Sequence, residues 1–278
     1  MKPPVPYFGS KAALAPWIVS QLPAHEHYVE PYCGSLAVLL AKPSSPLETV
    51  NDLDRHLITF WRVLRDRPDD LIRACALTPH SRAEYDDALT RLSQELDDVE
   101  RARLVWVILH QGRGRRLDGH EGWRHTVARS GPGAQNRVAA VIGNCLDRIA
   151  PAADRLRNVS LECMPALDLI AKYGAHPDVL LYIDPPYVGA TRNGSRRYGH
   201  EMPGESEHRD LAAVLSGCRA AVVLSGYPAP LYDELYAGWH CERMSVNTHN
   251  ARPGDRARTE VLWSNRPFAG QAGLWDAA

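Results

Sequence analysis

Four consecutive residues, Asp184, Pro185, Pro186 and Tyr187, follow LLYI, a run of strand-type residues at 180–183. Prolines cannot donate to a strand ladder, so they account for the end of the strand. They do not account for the acid before them or the aromatic after them. A residue preceding proline is held extended, so Asp184 projects from the strand end. Pro185 and Pro186 offer carbonyls without N–H groups. The turn therefore presents acceptors, a carboxylate and a proline carbonyl, beside a ring at Tyr187 on which a base can stack. Such a set suits a ligand that brings two N–H bonds on one nitrogen, an exocyclic amine. Taken alone, the four residues would also serve as a strand terminator with its Tyr packed inward.

A second candidate turn is EPYCGS at 30–35. Glu30 ends a strand-type run, Gly34 lets backbone approach a ligand closely, and the helix expected to follow opens with free N–H groups. Asp52 comes 18 residues after Gly34. That is close to the spacing at which an acid after the second strand holds ribose hydroxyls in nucleotide-binding folds. A strand–helix turn with a helix cap is the plainer reading of EPYCG by itself.

For these turns to act together, the strands that carry them must end on one edge. Residues 27–33 read as a strand, GSLAVLLA opens a helix, KPSSP at 42–46 is a loop, and 47–54 reads as a second strand ending in acids. From about residue 55 the spacing turns helical, through HLITFWRVLRDRPDDLIRACAL, SRAEYDDALTRLSQELDD and VERARLVWVILHQG. Residues 110–137 are glycine-rich and basic, with six arginines against Asp118 and Glu121. VAAVIGNCLDRIAPAADRL reads as one further helix. Strand and helix then alternate again: NVSLECMP, ALDLIAKYG, DVLLYI, HRDLAAVLSGC, AAVVLSGY and LYDELYA, with WHCERMSVNTH and RTEVLWSN as a closing antiparallel pair. The expected fold is α/β, a mostly parallel sheet with helices on both faces, interrupted by a helical insertion. Residues 1–55 and 158–278 would form the sheet domain and 56–157 the insertion. Open sheets of this kind bind ligands outside the carboxyl ends of their strands, where EPYCG, NDLD, DPPY and SGY all fall.

Composition narrows the class without choosing a ligand. Hydrophobic content of 45% and charged content of 23% are those of a globular protein. No apolar run approaches a membrane span and the N-terminus lacks a signal-peptide core, so a cytoplasmic location is expected. The six cysteines are scattered without a CxxC pair, and the histidines form no HExxH set, so neither disulfides nor a metal is expected. A net charge of −1 neither suggests nor excludes a nucleic-acid partner.

The order of motifs resembles the Dam-type, α-group family of adenine-N6 DNA methyltransferases. YFGSK at 7–11, EPYCGS at 30–35, NDLD at 51–54 and DPPY at 184–187 appear in that family's order, and LSGY at 224–227 and TEVLWSN at 259–265 are similar to its later strands. The resemblance covers nearly the whole chain, with the insertion matching in character. It implies a Rossmann-like sheet, S-adenosylmethionine as cofactor, and double-stranded DNA as partner. Tyr7, Gly9, Lys11, Glu30, Gly34, Asp52 and Asp184 would line the cofactor site, and 56–157 would recognise the target. Asp184, Pro185, Pro186 and Tyr187 would be catalytic, with the carboxylate and the Pro185 carbonyl accepting the hydrogens of a flipped-out adenine's amine. Arg113, Arg115, Arg116, Trp123, Arg124, Gln135 and Asn136 of the basic segment are candidate DNA contacts, as are Arg192, Arg196 and Arg197 after DPPY. The chain departs from the family at ECMPAL: Pro165 stands where relatives often carry an Asp toward the cofactor's adenine. Cytosine-N4, RNA adenine and a protein glutamine amide present a similar NH₂, and an inactive DNA-binding relative would keep the same fold. Asp at 184, rather than Ser or Asn, favours adenine in DNA. The residues leave a restriction endonuclease partner open.

Overall fold

The computed structural model describes residues 1–119, 121–125, 138–186, 202, 204–247 and 257–269. In chain order the elements are α1 (Ala15–Gln21), β1 (His27–Glu30), α2 (Ala37–Ala41), β2 (Leu47–Asn51), α3 (Arg55–Asp66), α4 (Pro68–Ala76), α5 (Arg82–Arg91) and α6 (Asp98–Gln111). They continue with α7 (Val138–Leu146), α8 (Ile149–Leu156), β3 (Val159–Glu162), α9 (Ala166–Gly174), β4 (Val179–Ile183), α10 (Glu205–Ser216), β5 (Ala221–Gly226), α11 (Pro230–Leu235), β6 (His240–Asn247) and β7 (Ala257–Ser264). The seven strands run in the order β3-β2-β1-β4-β5-β7-β6. β1 pairs in parallel with β2 and β4, and β4 with β5, while β7 is antiparallel to both β5 and β6. This is the expected mixed α/β sheet, with the closing antiparallel pair intact.

The chain divides into two compact units, residues 1–15, 34–43 and 54–163 in one and 16–33, 44–53 and 164–278 in the other. By compactness, the YFGSK segment and the Gly34–Ser35 half of the first turn group with the helical region.

In the helical unit, α6 is the central element. Leu104 through Gln111 are buried without interruption, so this helix is enclosed on all sides instead of presenting one apolar stripe. The Asp97 side chain caps it, accepting from the N–H groups of Val99 and Glu100 at 2.9 and 3.2 Å. Asp54 caps α3 in the same way. The single helix expected over VAAVIGNCLDRIAPAADRL is two, α7 and α8. Pro151 sits at the third position of α8, where a missing N–H costs nothing because the first-turn donors have no intrahelical partner.

The second unit has β4 at its centre. All five of its residues are buried, as are all six of β5. Strands covered on both faces read as continuous apolar runs, which is why VLLYI and AVVL are legible as such. Leu169 and Ile170 of α9, Leu211 and Leu215 of α10, and Leu231 of α11 pack on them. β1 and β2 stop at Glu30 and Asn51, shorter than the runs 27–33 and 47–54 had suggested. Pro31 has no N–H to continue the first.

Candidate active site

Three neighbouring parallel strands of the second unit, β2, β1 and β4, end in carboxylates. Asp52 follows β2, Glu30 is the last residue of β1, and Asp184 follows β4. Glu30 is buried and accepts the hydroxyl of buried Tyr28 at 2.9 Å. Burial, then the Glu30 charge, raises the Tyr28 phenol well above its ordinary range, so it remains a donor. Asp184 is half-buried, and Ser225 Oγ donates to its Oδ1 at 3.0 Å. Pro185 is buried and Pro186 partly so. Tyr187 lies outside the described residues, as do Gln135, Asn136, Arg192, Arg196 and Arg197.

One residue ties the turn after β1 to the turn after β3, and sequence reasoning passed over it. Asn51 is buried at the end of β2. Its Nδ2 donates to the Pro31 carbonyl at 2.9 Å and to the Met164 carbonyl at 3.0 Å, while its Oδ1 accepts the Met164 N–H at 2.9 Å. Its backbone carbonyl accepts the N–H of Cys33 at 2.8 Å. A side-chain amide carries two donor hydrogens and an acceptor oxygen, so it can make all three bonds at once. Asn51 thereby ties the turn after β1 to the backbone next to Pro165. Pro165 precedes α9 in an extended conformation, φ −53° and ψ 132°. The only signal in the sequence was a polar residue closing a buried strand.

In the helical unit, Tyr7 to Ser10 form a tight turn, with the Ser10 N–H on the Tyr7 carbonyl at 3.1 Å and Gly9 at φ +79°. Ser10 Oγ lies 2.7 Å from Ser35 Oγ, joining YFGSK to the residues after Gly34. Lys11 is buried. Gly34 has φ +45°, a Cβ added there would stand 3.2 Å from the Tyr7 ring, and the Trp61 indole N–H donates to the Gly34 carbonyl at 3.0 Å. Gly34→Ala should therefore destabilise the protein by about 1–2 kcal/mol, from left-handed backbone strain and contact with Tyr7. A thermal melt of that variant, with an unchanged midpoint as the opposing result, checks this.

The described part of the basic segment, 110–119 and 121–125, folds back on itself as a finger. The Arg113 N–H bonds the Gly122 carbonyl at 3.0 Å, Gly112 bridges Trp123, and the Arg124 N–H bonds the Gln111 carbonyl at 2.6 Å. Trp123 stacks on His80 at 4.8 Å between centroids, with Arg82 over its ring. Arg113 and Arg115 are exposed, while Arg124 is half-buried. Arg116 is held differently from an open phosphate contact. It is ion-paired with Asp118, and its guanidinium lies 5.8 Å from the Phe8 ring centroid. The Phe8 N–H bonds the carbonyl of Arg115 at 3.1 Å, so the finger is anchored to the YFGSK turn. Among the described residues, no group of three or more His, Cys, Asp or Glu side chains is arranged to hold a metal ion. No helix among them is long and apolar enough to cross a membrane.

Residues 7–110 and 144–250 match the family described as D12 class N6 adenine-specific DNA methyltransferase. The chain belongs to this family. The Type II methyltransferase M1.LlaDCHI of Lactococcus lactis subsp. cremoris is 24% identical over 282 residues, covering 95% of each chain. A solved precorrin 8w decarboxylase of Methanobacterium thermoautotrophicum superposes with a TM-score of 0.38 at 9% identity, covering 95% of each chain. The chain is thus an adenine-specific DNA methyltransferase: DNA is its substrate, and it needs a methyl donor. The interval between the two matched segments, 111–143, contains Arg113, Arg115, Arg116 and Arg124.

Proposed function

We propose that this methyltransferase transfers the methyl group of S-adenosylmethionine to a flipped-out adenine at a defined DNA sequence, with Asp184 and the Pro185 carbonyl as acceptors for the amine. The observation that carries the reading is the row of carboxylates after β2, β1 and β4, beside the proline-fixed turn at 184–186. These residues fit the cofactor chemically: Asp52 suits a ribose diol, and acids at the strand ends suit a ligand bearing positive charge. Tyr7, Gly9, Lys11, Glu30 and Gly34 are proposed to complete its site. Bound there, S-adenosylmethionine supplies an electrophilic methyl on a cationic sulfur.

The amine lone pair of adenine is delocalised into the ring, which makes the nitrogen a poor nucleophile. Asp184 Oδ and the Pro185 carbonyl, accepting its two hydrogens, favour a pyramidal nitrogen whose lone pair is directed at the methyl group. Positioning and preorganised electrostatics would then support direct methyl transfer, the donor sulfur leaving as a neutral thioether and the extra proton on the amine leaving after transfer, with no covalent enzyme intermediate. A paired base cannot reach such a turn, so it must be everted at a cost of a few kcal/mol, on the order of one stacking step. Tyr187 is proposed to stack on that base, and Arg192, Arg196 and Arg197 to contact DNA beside it.

Residues 56–157 are the proposed target-recognition insertion, with Arg113, Arg115, Arg116, Trp123 and Arg124 on its DNA-facing side. The relative is a Type II methyltransferase, which supports a role for this chain in modifying one sequence throughout a genome. Methylation-sensitive sequencing of DNA from cells expressing the protein tests the reading: N6-methyladenine in a single motif is expected, and randomly placed methyl groups would overturn site specificity. Calorimetry with S-adenosylmethionine should give a saturable heat; its absence would remove that donor. Replacing Arg113 and Arg115 by Ala together should weaken DNA binding and make its salt dependence shallower by about 2 in log–log slope, on the scale of 0.9 per phosphate contact. An unchanged slope would remove the finger from the interface.

A further inference from the structure

The pairing of β4 with β5 matches Leu181 with Val222, Tyr182 with Val223 and Ile183 with Leu224. One step further along, Ser225 stands opposite Asp184. The Ser225 hydroxyl donates to Asp184 Oδ1 at 3.0 Å. A hydroxyl has one proton, so the 3.1 Å contact between Ser225 Oγ and the Tyr182 hydroxyl has Tyr182 as its donor. Ser225 and Tyr182 are both 0% exposed, so water does not compete for either bond. Burial first, then the Asp184 charge, raises the Tyr182 phenol well above its ordinary range. It therefore keeps its proton at neutral pH.

We propose that Ser225 is a positioning residue for methyl transfer, with Tyr182 behind it. The directed chain Tyr182 O–H to Ser225 O–H to Asp184 Oδ1 fixes the rotation of the carboxylate about its Cβ–Cγ bond. A carboxylate on a turn otherwise samples several rotations, of which few point an oxygen along an amine N–H. Fixing one oxygen from the protein side leaves the group preorganised before the base arrives, which is where electrostatic catalysis gains its effect. The chain crosses from β4 to β5 and is set by strand register, so it tolerates no slip: a shift of one residue would turn Ser225 to the other face of the sheet. The proposal rests on Asp184 as an acceptor for the amine, and the test separates the two.

Single-turnover methylation, calorimetry with S-adenosylmethionine, DNA affinity and thermal melts are measured on the full chain and on Ser225→Ala, Tyr182→Phe, the double variant and Asp184→Ala. Ser225→Ala should lower the single-turnover rate about 10- to 100-fold, the worth of one hydrogen bond to a charged group, with both affinities within about threefold of the parent. Tyr182→Phe should cost about three- to fivefold alone, and nothing further in the Ser225→Ala background. The double variant should regain stability relative to Ser225→Ala, since both partners are then apolar, without regaining rate. An unchanged rate in Ser225→Ala would overturn the proposal, and so would a rate that recovers with stability in the double variant. If Asp184→Ala itself retains turnover, the acceptor reading of Asp184 falls and the positioning role with it. If Asp184→Ala is inactive while Ser225→Ala is not, only the positioning role falls.

Discussion

Asp184→Ala should abolish methyl transfer, lowering turnover by about a thousandfold or more, while the protein still folds and binds DNA. The size follows from the proposed role of Asp184, a preorganised group at the reacting nitrogen, the kind of loss that costs about two to three orders of magnitude for one donor elsewhere. Here the lost group also carries charge. The fold should survive because Asp184 is half-buried on a turn beyond the last residue of β4, and the buried strand itself is untouched. Truncation leaves the Ser225 hydroxyl without its carboxylate, at about 1–3 kcal/mol. Asp184→Asn sharpens the experiment. The Asn carbonyl can still accept from Ser225, but its NH₂ meets the adenine amine donor to donor. The Asn variant should therefore be nearly as inactive as the Ala variant and more stable. Methyl incorporation and a thermal melt on the three proteins decide it; near-normal turnover in either variant would show that the amine is held elsewhere.

Asn51→Ala should give the second largest effect, this time on stability and cofactor binding together. Three side-chain hydrogen bonds disappear, and the Pro31 carbonyl and both backbone groups of Met164 lose their Asn51 partners. Unsatisfied buried groups cost about 1–3 kcal/mol each, partly recovered by relaxation, so about 2–4 kcal/mol is expected in all. For a protein of this size that lowers the melting midpoint by about 5–10 °C. The turns after β1, β2 and β3 would lose their common tie, and S-adenosylmethionine affinity should fall by about tenfold or more. Asn51→Asp keeps an acceptor for the Met164 N–H but brings a negative charge against two carbonyls, so it should be no better than Ala. A melt within about 1 °C of the parent would show that the turns are held without this side chain.

These two residues illustrate what can be read from a chain and what cannot. Asp184 was legible because its signal is local: an acid before two prolines at the end of a five-residue buried strand is a pattern within a few positions. Asn51 stands in NDLD beside Asp52, and only Asp52 has a spacing from Gly34 that points to a ligand. The reason is physical. Asn51 acts through Met164, 113 positions away, and no local periodicity records a hydrogen bond across that distance. Ser225 was hidden in the same way, since its partner lies 41 positions earlier and depends on strand register. Arg116 reversed the lesson. Composition marks it as one cation of a basic loop, while the fold pairs it with Asp118 and places it near the Phe8 ring.

The sequence by itself determined the α/β alternation, the run of helices between β2 and β3, the antiparallel closing strands and the proline turn at 184–186. Each of these is written in short-range hydrophobic periodicity or in proline and glycine chemistry, which act within a few residues. Tertiary structure alone decided that β7 lies between β5 and β6, that YFGSK packs against the residues following Gly34, and that Asn51 and Ser225 hold the turns and the carboxylate. Those outcomes come from polar groups buried beside partners distant in the chain, where the cost of leaving a donor or acceptor unpaired selects one arrangement, and that cost is felt only once the chain has closed around them.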